Sequence, residues 1–358
     1  MIIVTDYAKR IDQDAFRRDL INWFNNNKRT LPWREDQDPY KVWVSEIMLQ
    51  QTQVDTVIPY FNAFIRQFPT PSALADADEQ EVLKAWEGLG YYSRARNLKT
   101  AVKEVKESYG GVVPKEKQSL SKLKGIGPYT LGAIMSIAYN QPEPAVDGNV
   151  MRVLSRLCNI EEDIAKPKTK KTFEALVRQL ISEQDPSSFN QGLMELGALI
   201  CRPQSPKCDR CPVKAHCQAF HSNKQNVLPI KSKKKKQSTH SYYVLVLEDQ
   251  SGQLLIEKRP ENGLLANMWQ FMMLEKKEVD QALILPYVEE VYQTQVFEHK
   301  QLESIKHVFS HVIWELDVHY FKVENIKHVE HSQMLVEKSK IDAFPFPVPH
   351  QKVYQYLN

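Results

Sequence analysis

The segment LSKLKGIGPYTLGAIMSIAY (120–139) reads as helix, tight turn, helix. Gly125 and Gly127 bracket Ile126, and Pro128 opens the second helix, where a missing backbone N–H costs nothing. Glycines at such a turn let backbone N–H groups face outward, and the new helix N-terminus adds a positive dipole. That arrangement can hold a nucleic-acid phosphate without reading base sequence. An ordinary helical hairpin carries the same glycines, so the turn alone does not choose between the two.

On either side the apolar spacing is helical from the start of the chain to about residue 220. In DAFRRDLINWFNNN (14–27), Phe16, Leu20, Ile21, Trp23 and Phe24 form one face. YKVWVSEIMLQQTQVDTVIPYF (40–61) reads as a further helix, as do SALADADEQEVLKAW (72–86), with Ser72 as cap, and SRARNLKTAVKEVKESY (93–109). The pattern then changes. KSKKKK (231–236) has the composition of a solvated tether that could also touch phosphates. YYVLVLE, the turn DQSG and QLLIEKRP (242–260) read as a β-hairpin, a helical stretch follows near 278–292, and HVIWELDVHYFKVE (311–324) alternates as a half-buried strand does. The predicted fold is multidomain: an all-α domain over 1–228, a linker over 229–240 and an α+β domain over 241–358.

Composition sets broad bounds. The chain has 358 residues, 42% hydrophobic and 25% charged, with a net charge of +3, so any basic surface must be local. The opening MIIVTDYAKRIDQD turns charged at once, and no segment approaches the length of a membrane span. A reduced cytoplasmic protein with no membrane partner is expected. Four of the five cysteines lie in CRPQSPKCDRCPVKAHC: Cys201, Cys208, Cys211 and Cys217, spaced C-x6-C-x2-C-x5-C. Four thiolates so close select a soft metal, zinc or an iron–sulfur cluster, over disulfides. Arg202, Lys207, Arg210 and Lys214 make the same loop basic, and its three prolines make it rigid, which suits a phosphate backbone. Cys158, in MRVLSRLCNI, reads as a buried inert thiol.

Two carboxylates stand in contrasting settings. Asp147 in PAVDGNVMRVLSRL sits at a helix N-cap or just before it, where the dipole and free N–H groups favour the ionised form, and taken alone it is a cap. Glu46 in KVWVSEIMLQQT lies among apolar side chains that favour the neutral acid, unless it occupies the solvated face of an amphipathic helix. Carboxylates pushed apart in this way are the usual form of an acid and stabiliser pair.

In this order, LKGIGPYT, VDGNV and the cysteine loop resemble the helix–hairpin–helix DNA glycosylase superfamily. Within it, LPWR (31–34), SEIMLQQTQV (45–54), GLGYYSRARNL (88–98), FNQGLMELGALIC (189–201) and the appended C-terminal domain resemble the MutY family of adenine glycosylases. The resemblance is dense over 31–217 and sparser afterwards. It implies a monomeric, monofunctional enzyme of base excision repair, cytoplasmic and nucleoid-associated. Such an enzyme flips adenine paired with 8-oxoguanine, or with guanine, out of double-stranded DNA and cleaves its N-glycosidic bond.

The resemblance also implies roles for individual residues. Glu46 would protonate adenine N7, Asp147 would stabilise the oxocarbenium-like sugar, and Asn149 would orient the pair. Tyr129 stands where bifunctional relatives such as endonuclease III carry a lysine, so strand cleavage through a Schiff base is not expected. Gln51 and Tyr91 would wedge into the stack, Thr52 and Leu89 would flank the lesion pair, and Gly125 and Gly127 would hold a phosphate. Trp33, Arg34 and Gln191 would line the adenine pocket. The four cysteines would hold one [4Fe–4S] cluster.

Residues 241–358 resemble the Nudix-like lesion-recognition domain of that family, in which Phe309, Ser310 and His311 would sense 8-oxoguanine. The metal-binding Nudix hydrolase box is absent from the sequence, so phosphohydrolase activity is not expected. Gln270 and Met272 replace the usual Glu and Pro of a W-E-F-P pattern, which leaves the local loop geometry open. The rivals are a bifunctional glycosylase/lyase, a non-enzymatic zinc-pinned DNA-binding protein and a Nudix hydrolase with a helical accessory domain.

Overall fold

The computed structural model describes residues 4–232 and 236–357. The middle of the expected linker, 233–235, lies outside the described residues. The chain divides into two compact units: Met1–Asp76 with Asn97–Lys233, and Ala77–Arg96 with Lys234–Asn358. The segment 77–96 therefore groups with the C-terminal part of the chain, although it lies among helices in sequence.

In the first unit, the described residues of which contain no strand, the main helices are Gln13–Asn27, Pro39–Leu49, Val54–Gln67, Pro128–Ile137, Gly148–Leu157, Pro167–Leu180 and Pro186–Leu199. The helix Ser93–Tyr109 is divided between the two units, its residues from Asn97 onward belonging to this one. Pro186–Leu199 is the hub. It packs on Gln13–Asn27, on Gly148–Leu157 and on Pro128–Ile137, and the last of these also packs on Pro39–Leu49. The core between them includes Phe16, Leu20, Leu154, Phe173, Phe189, Leu193 and Leu196, all fully buried. Phe16 and Phe189 meet edge to face at 6.0 Å. At Gly132 a Cβ would lie 1.8 Å from the Pro144 carbonyl oxygen, so only glycine lets the hairpin's second helix approach the segment that leads into Asp147.

Two expected helices are each divided. The run 40–61 breaks between Leu49 and Val54, where Gln51 takes a left-handed φ of 62°. No glycine or proline marks this break, so the period continues through it in sequence while the backbone does not. The run 72–86 breaks after Asp76, and Asp78 starts a new helix, Glu79–Ala85, through a capping box with Glu81. The cap of the first piece is Thr70, whose hydroxyl accepts from the Ala73 amide at 3.1 Å, rather than Ser72.

The second unit is built on one eight-stranded mixed sheet. Its strands are β1 Ser238–Glu248, β2 Gln253–Lys258, β3 Trp269–Gln270, β4 Met272–Glu275, β5 Val296–Gln301, β6 Ile305–Val308, β7 Val312–Val323 and β8 Gln333–Glu337. β1 and β7 run parallel along eleven residue pairs, Ser238 opposite Val312 through Glu248 opposite Lys322, and the other pairings are antiparallel. Their alternation places Val244, Val246 and Val318 in one core cluster, with Phe271, and Leu245, Leu247 and Phe321 in the other, with Val288 of a covering helix. Helices Glu79–Ala85, Ile284–Val291 and Val348–Gln355 belong to the same unit. At the departure from W-E-F-P, Gln270 is buried, accepts from Arg259 Nη1 at 2.5 Å and donates to Glu257 Oε2 at 2.9 Å. Among the described residues no helix is long and apolar enough to cross a membrane.

Candidate active site

The helix Pro39–Leu49 starts under a double cap: Asp38 accepts from the amides of Tyr40 at 2.8 Å and Lys41 at 3.1 Å. Every residue from Val42 to Met48 is buried, which excludes a solvated face for Glu46. Glu46 is 5% exposed. Burial first, then the neighbouring charge of Asp147, raises its pKa to about 7, against the hydrogen bond from Tyr129 and the charge of Arg34. The Tyr129 hydroxyl, one turn past the hairpin glycines, donates to Glu46 Oε2 at 2.5 Å. Burial and the two carboxylates push the Tyr129 phenol well up, so it remains a donor.

Asp147 is the N-cap of Gly148–Leu157, as expected. Oδ1 accepts from the Val150 amide at 2.7 Å and Oδ2 from the Asn149 side chain at 2.9 Å. Its pKa is nevertheless raised by burial, against these donors and the Arg152 charge. The cap position alone suggested a shift favouring the ionised form, because sequence does not show how deeply the helix N-terminus is covered. What separates the carboxyls is hydrogen bonding: both Asp147 oxygens accept from donors, and Glu46 has the phenol. Asn149 passes the connection on, its Oδ1 accepting from Arg152 Nη2 at 2.7 Å, while Arg152 Nε donates to the Cys201 carbonyl at 2.8 Å.

Glu46, Tyr129, Asp147, Asn149, Trp33, Arg34, Thr52 and Gln191 line a single cavity of about 160 Å³ in the first unit. The structure thus brings together residues drawn from five separated stretches of sequence. Trp33 is buried edge to face on Phe61 at 5.3 Å. Arg34 Nε donates to Gln191 Oε1 at 2.9 Å, and Gln191 Nε2 donates to Ser187 Oγ at 3.1 Å. Sequence reading missed two wall residues, Arg29 and Glu195. Glu195 lies within the quoted FNQGLMELGALIC, four residues after Gln191 and so on the same helix face, which was the available signal.

Outside this cavity, Gly125 has φ of 83° and Gly127 caps the following helix without a side-chain hydrogen bond. A Cβ on Gly127 would meet nothing within 4 Å, so nothing nearby fills that space. Gln51 is exposed. In the second unit Tyr91, with φ of 49°, reaches the turn between β6 and β7, where its hydroxyl lies 2.5 Å from Ser310 Oγ. Tyr91, Phe309, Ser310 and His311 share a larger cavity of about 520 Å³, whereas Leu89 is buried and not part of its wall. The Phe309 ring is fixed edge to face against Trp314 at 5.0 Å.

All four loop cysteines border one small cavity of about 30 Å³ together with Arg156. Arg156 Nη1 lies 3.2 Å from Cys201 Sγ, and its other nitrogens bind the carbonyls of Arg202, Pro203 and Leu228. Burial pushes the Cys211 thiol up to about 12 and raises Cys208 and Cys217 as well. Among the described residues no group of three or more His, Cys, Asp or Glu side chains has the arrangement for holding a single metal ion.

A buried acid, a capped carboxylate and a hairpin turn on one helical scaffold define the class: residues 44–179 match the HhH-GPD superfamily of base excision DNA repair proteins. Residues 243–356 match the NUDIX domain. The chain is 33% identical over 350 residues to the adenine DNA glycosylase of Buchnera aphidicola subsp. Schizaphis graminum, covering 95% of this chain and 98% of that one. It therefore belongs to the adenine DNA glycosylase family. It is also 36% identical over 361 residues to the adenine DNA glycosylase of Arabidopsis thaliana, covering 86% of this chain and 57% of that longer relative. A solved thermostable thymine-DNA glycosylase superposes with a TM-score of 0.53 at 27% identity, covering 59% of this chain and 97% of that one.

Proposed function

We propose that the chain is a monofunctional DNA glycosylase that excises adenine mispaired with 8-oxoguanine, or with guanine, acting as a monomer on double-stranded DNA. The observation that carries this reading is Glu46. It is a buried carboxyl with a pKa of about 7, in a cavity that also holds a carboxylate with hydrogen bonds to both oxygens. At neutral pH a large fraction of Glu46 carries its proton and can deliver it to a ring nitrogen of a flipped base. Asp147 then faces the cation that develops on the sugar as the glycosidic bond breaks. Tyr129 orients Glu46 and offers no amine, so the product strand keeps an abasic site.

Gln51, Thr52, Leu89 and Tyr91 are assigned to the gap and the partner base. Tyr91 with Phe309, Ser310 and His311 is assigned to recognition of 8-oxoguanine. Gly125 and Gly127 are assigned to a backbone phosphate. Trp33, Arg34 and Gln191 would bound the adenine. The cellular setting that fits this chemistry is the cytoplasm, at the nucleoid.

The cysteine loop fits an iron–sulfur cluster: four thiols border one cavity, and the Arg156 guanidinium lies 3.2 Å from Cys201 Sγ, where it can donate a hydrogen bond to a ligand sulfur. We assign Cys201, Cys208, Cys211 and Cys217 as ligands of one [4Fe–4S] cluster. When bound, it would pin the basic loop from which Arg152 and Arg156 accept positioning, and no step of base removal passes through it.

The test is single-turnover incubation of the full chain with a duplex carrying one 8-oxoguanine:adenine pair. Alkali-dependent strand scission at the adenine, with no borohydride-trapped adduct, is expected. Cleavage without alkali would replace this reading by the bifunctional one. Cys208→Ser should lower iron and sulfide content in anaerobically purified protein and weaken binding to any duplex. Zinc without iron in the unaltered protein would remove the cluster assignment.

A further inference from the structure

Glu195 is buried in the wall of the catalytic cavity, its side chain 2% exposed. Oε1 accepts from Arg29 Nε at 2.8 Å and from the Arg29 amide at 3.2 Å, while Oε2 accepts from Arg29 Nη2 at 2.9 Å and Arg34 Nη2 at 3.0 Å. One carboxylate thus ties together two guanidiniums, the first of them in a bidentate fork. Arg34 is held at its other nitrogens too, Nη1 on the Arg29 carbonyl at 3.2 Å and Nε on Gln191 Oε1. The chain of contacts fixes the Gln191 amide. Its oxygen is committed to Arg34 and one hydrogen of its NH2 group to Ser187 Oγ, so the second N–H is left to meet a base, and it is a donor.

The charge balance is as telling as the geometry. Two arginines beside a general acid favour loss of its proton. Arg34 already acts on Glu46 in that direction. The other charged and titratable groups facing Glu46 are Tyr129 from the hairpin helix and Asp147 from the cap of Gly148–Leu157. Glu195 supplies the opposing charge on the arginine side, and those arginines hold it ionised, well below the usual carboxylate range.

We infer that Glu195 is a positioning residue for base removal: it fixes Arg34 and, through it, the donor face of Gln191, and its negative charge lets two guanidiniums stand in the pocket while Glu46 keeps its proton. This inference rests on the glycosylase reading, with Glu46 as the acid.

The experiment is the pH dependence of single-turnover adenine release from an 8-oxoguanine:adenine duplex, from about pH 6 to about pH 9, for the unaltered protein, Glu195→Gln and Arg29→Gln. Removing the negative charge should move the alkaline limb to lower pH, and removing one positive charge should move it to higher pH, each by on the order of half a unit to one unit. A pocket that is merely loosened lowers the plateau in both variants without displacing the limb in opposite directions. Unmoved limbs, or limbs that move the same way, overturn the inference. Should Glu195→Gln fail to fold, Arg29→Gln decides alone, since its side chain, 32% exposed, is not a core element, and an unmoved limb there overturns the inference. Loss of adenine release in the unaltered protein would instead overturn the glycosylase reading.

Discussion

Two buried glutamates line the candidate active-site cavity, and the two are driven in opposite directions. Glu46 meets a phenol and the charge of Asp147, and burial raises it to about 7. Glu195 is buried too, yet two arginines bring it down to about 2. Depth alone therefore does not set protonation here; the partner does. Glu46, hydrogen-bonded to a phenol, is held towards its neutral form, and Glu195, hydrogen-bonded to two guanidiniums, is held ionised.

The sharpest way to break this contrast is Glu46→Gln. The shape is kept and the transferable proton is lost, so adenine release should fall by roughly 10²–10⁴-fold or more, with duplex binding retained. Rates within about threefold of the unaltered protein, a barrier change below roughly 1 kcal/mol, would remove Glu46 from the chemistry.

Stability should separate the two residues next. Glu195→Ala leaves two arginines without their shared carboxylate and should cost roughly 3–5 kcal/mol by denaturant unfolding at neutral pH. Because the folded value of Glu195 is depressed, its contribution is present above the ordinary carboxylate value of 4.5 and is lost as pH falls from there towards about 2. Glu46 has the reverse sign. Between its ordinary 4.5 and its folded value near 7 the unfolded chain releases its proton first, so folding weakens as pH rises through that window. Glu46→Gln should accordingly be more stable than the unaltered protein above pH 7, by up to roughly 3 kcal/mol, and about equal to it near pH 4. Melting curves at the two pH values decide it; a variant less stable at both would contradict the assignment of a strained acid.

The smallest effect belongs to the other unit. Ser310 and His311 lie on the turn between β6 and β7, and the change they are proposed to sense, an oxygen and an N–H on the partner base, is small. Ser310→Ala with His311→Ala should narrow the preference for adenine opposite 8-oxoguanine over adenine opposite guanine by about 1–3 kcal/mol per lost hydrogen bond. An unchanged ratio of the two cleavage rates would shift lesion sensing to Gln51 and Thr52.

How much of this could be read in the sequence follows from how local each signal is. Asp147 as a cap and Glu46 in an apolar run are decided by their neighbours in the chain, and both stand in the structure as read. The hairpin turn and the strand over β7 are local in the same sense. Glu195 is different: its partner Arg29 is 166 residues away, and no periodicity records a pairing across that distance. The break at Gln51 escaped for another reason. A left-handed φ at a glutamine is an uncommon conformation, with no glycine or proline to announce it. The grouping of 77–96 with the C-terminal unit escaped because helical spacing says which face is apolar and not what will cover it.

Gly132 has a genetic consequence. The smallest possible replacement, alanine, already drives its methyl carbon to 1.8 Å from the Pro144 carbonyl oxygen, and backbone cannot move aside as a side chain can. Any missense change at this codon would wedge the hairpin helix away from the segment leading into Asp147. It would alter the distance from the hairpin turn to Asp147 while leaving every side chain of the cavity intact. Under the proposed function such an allele would behave as a null in a repair assay although no residue assigned to the chemistry had changed. A second-site suppressor would have to arise in the backbone path around Pro144, not in the cavity.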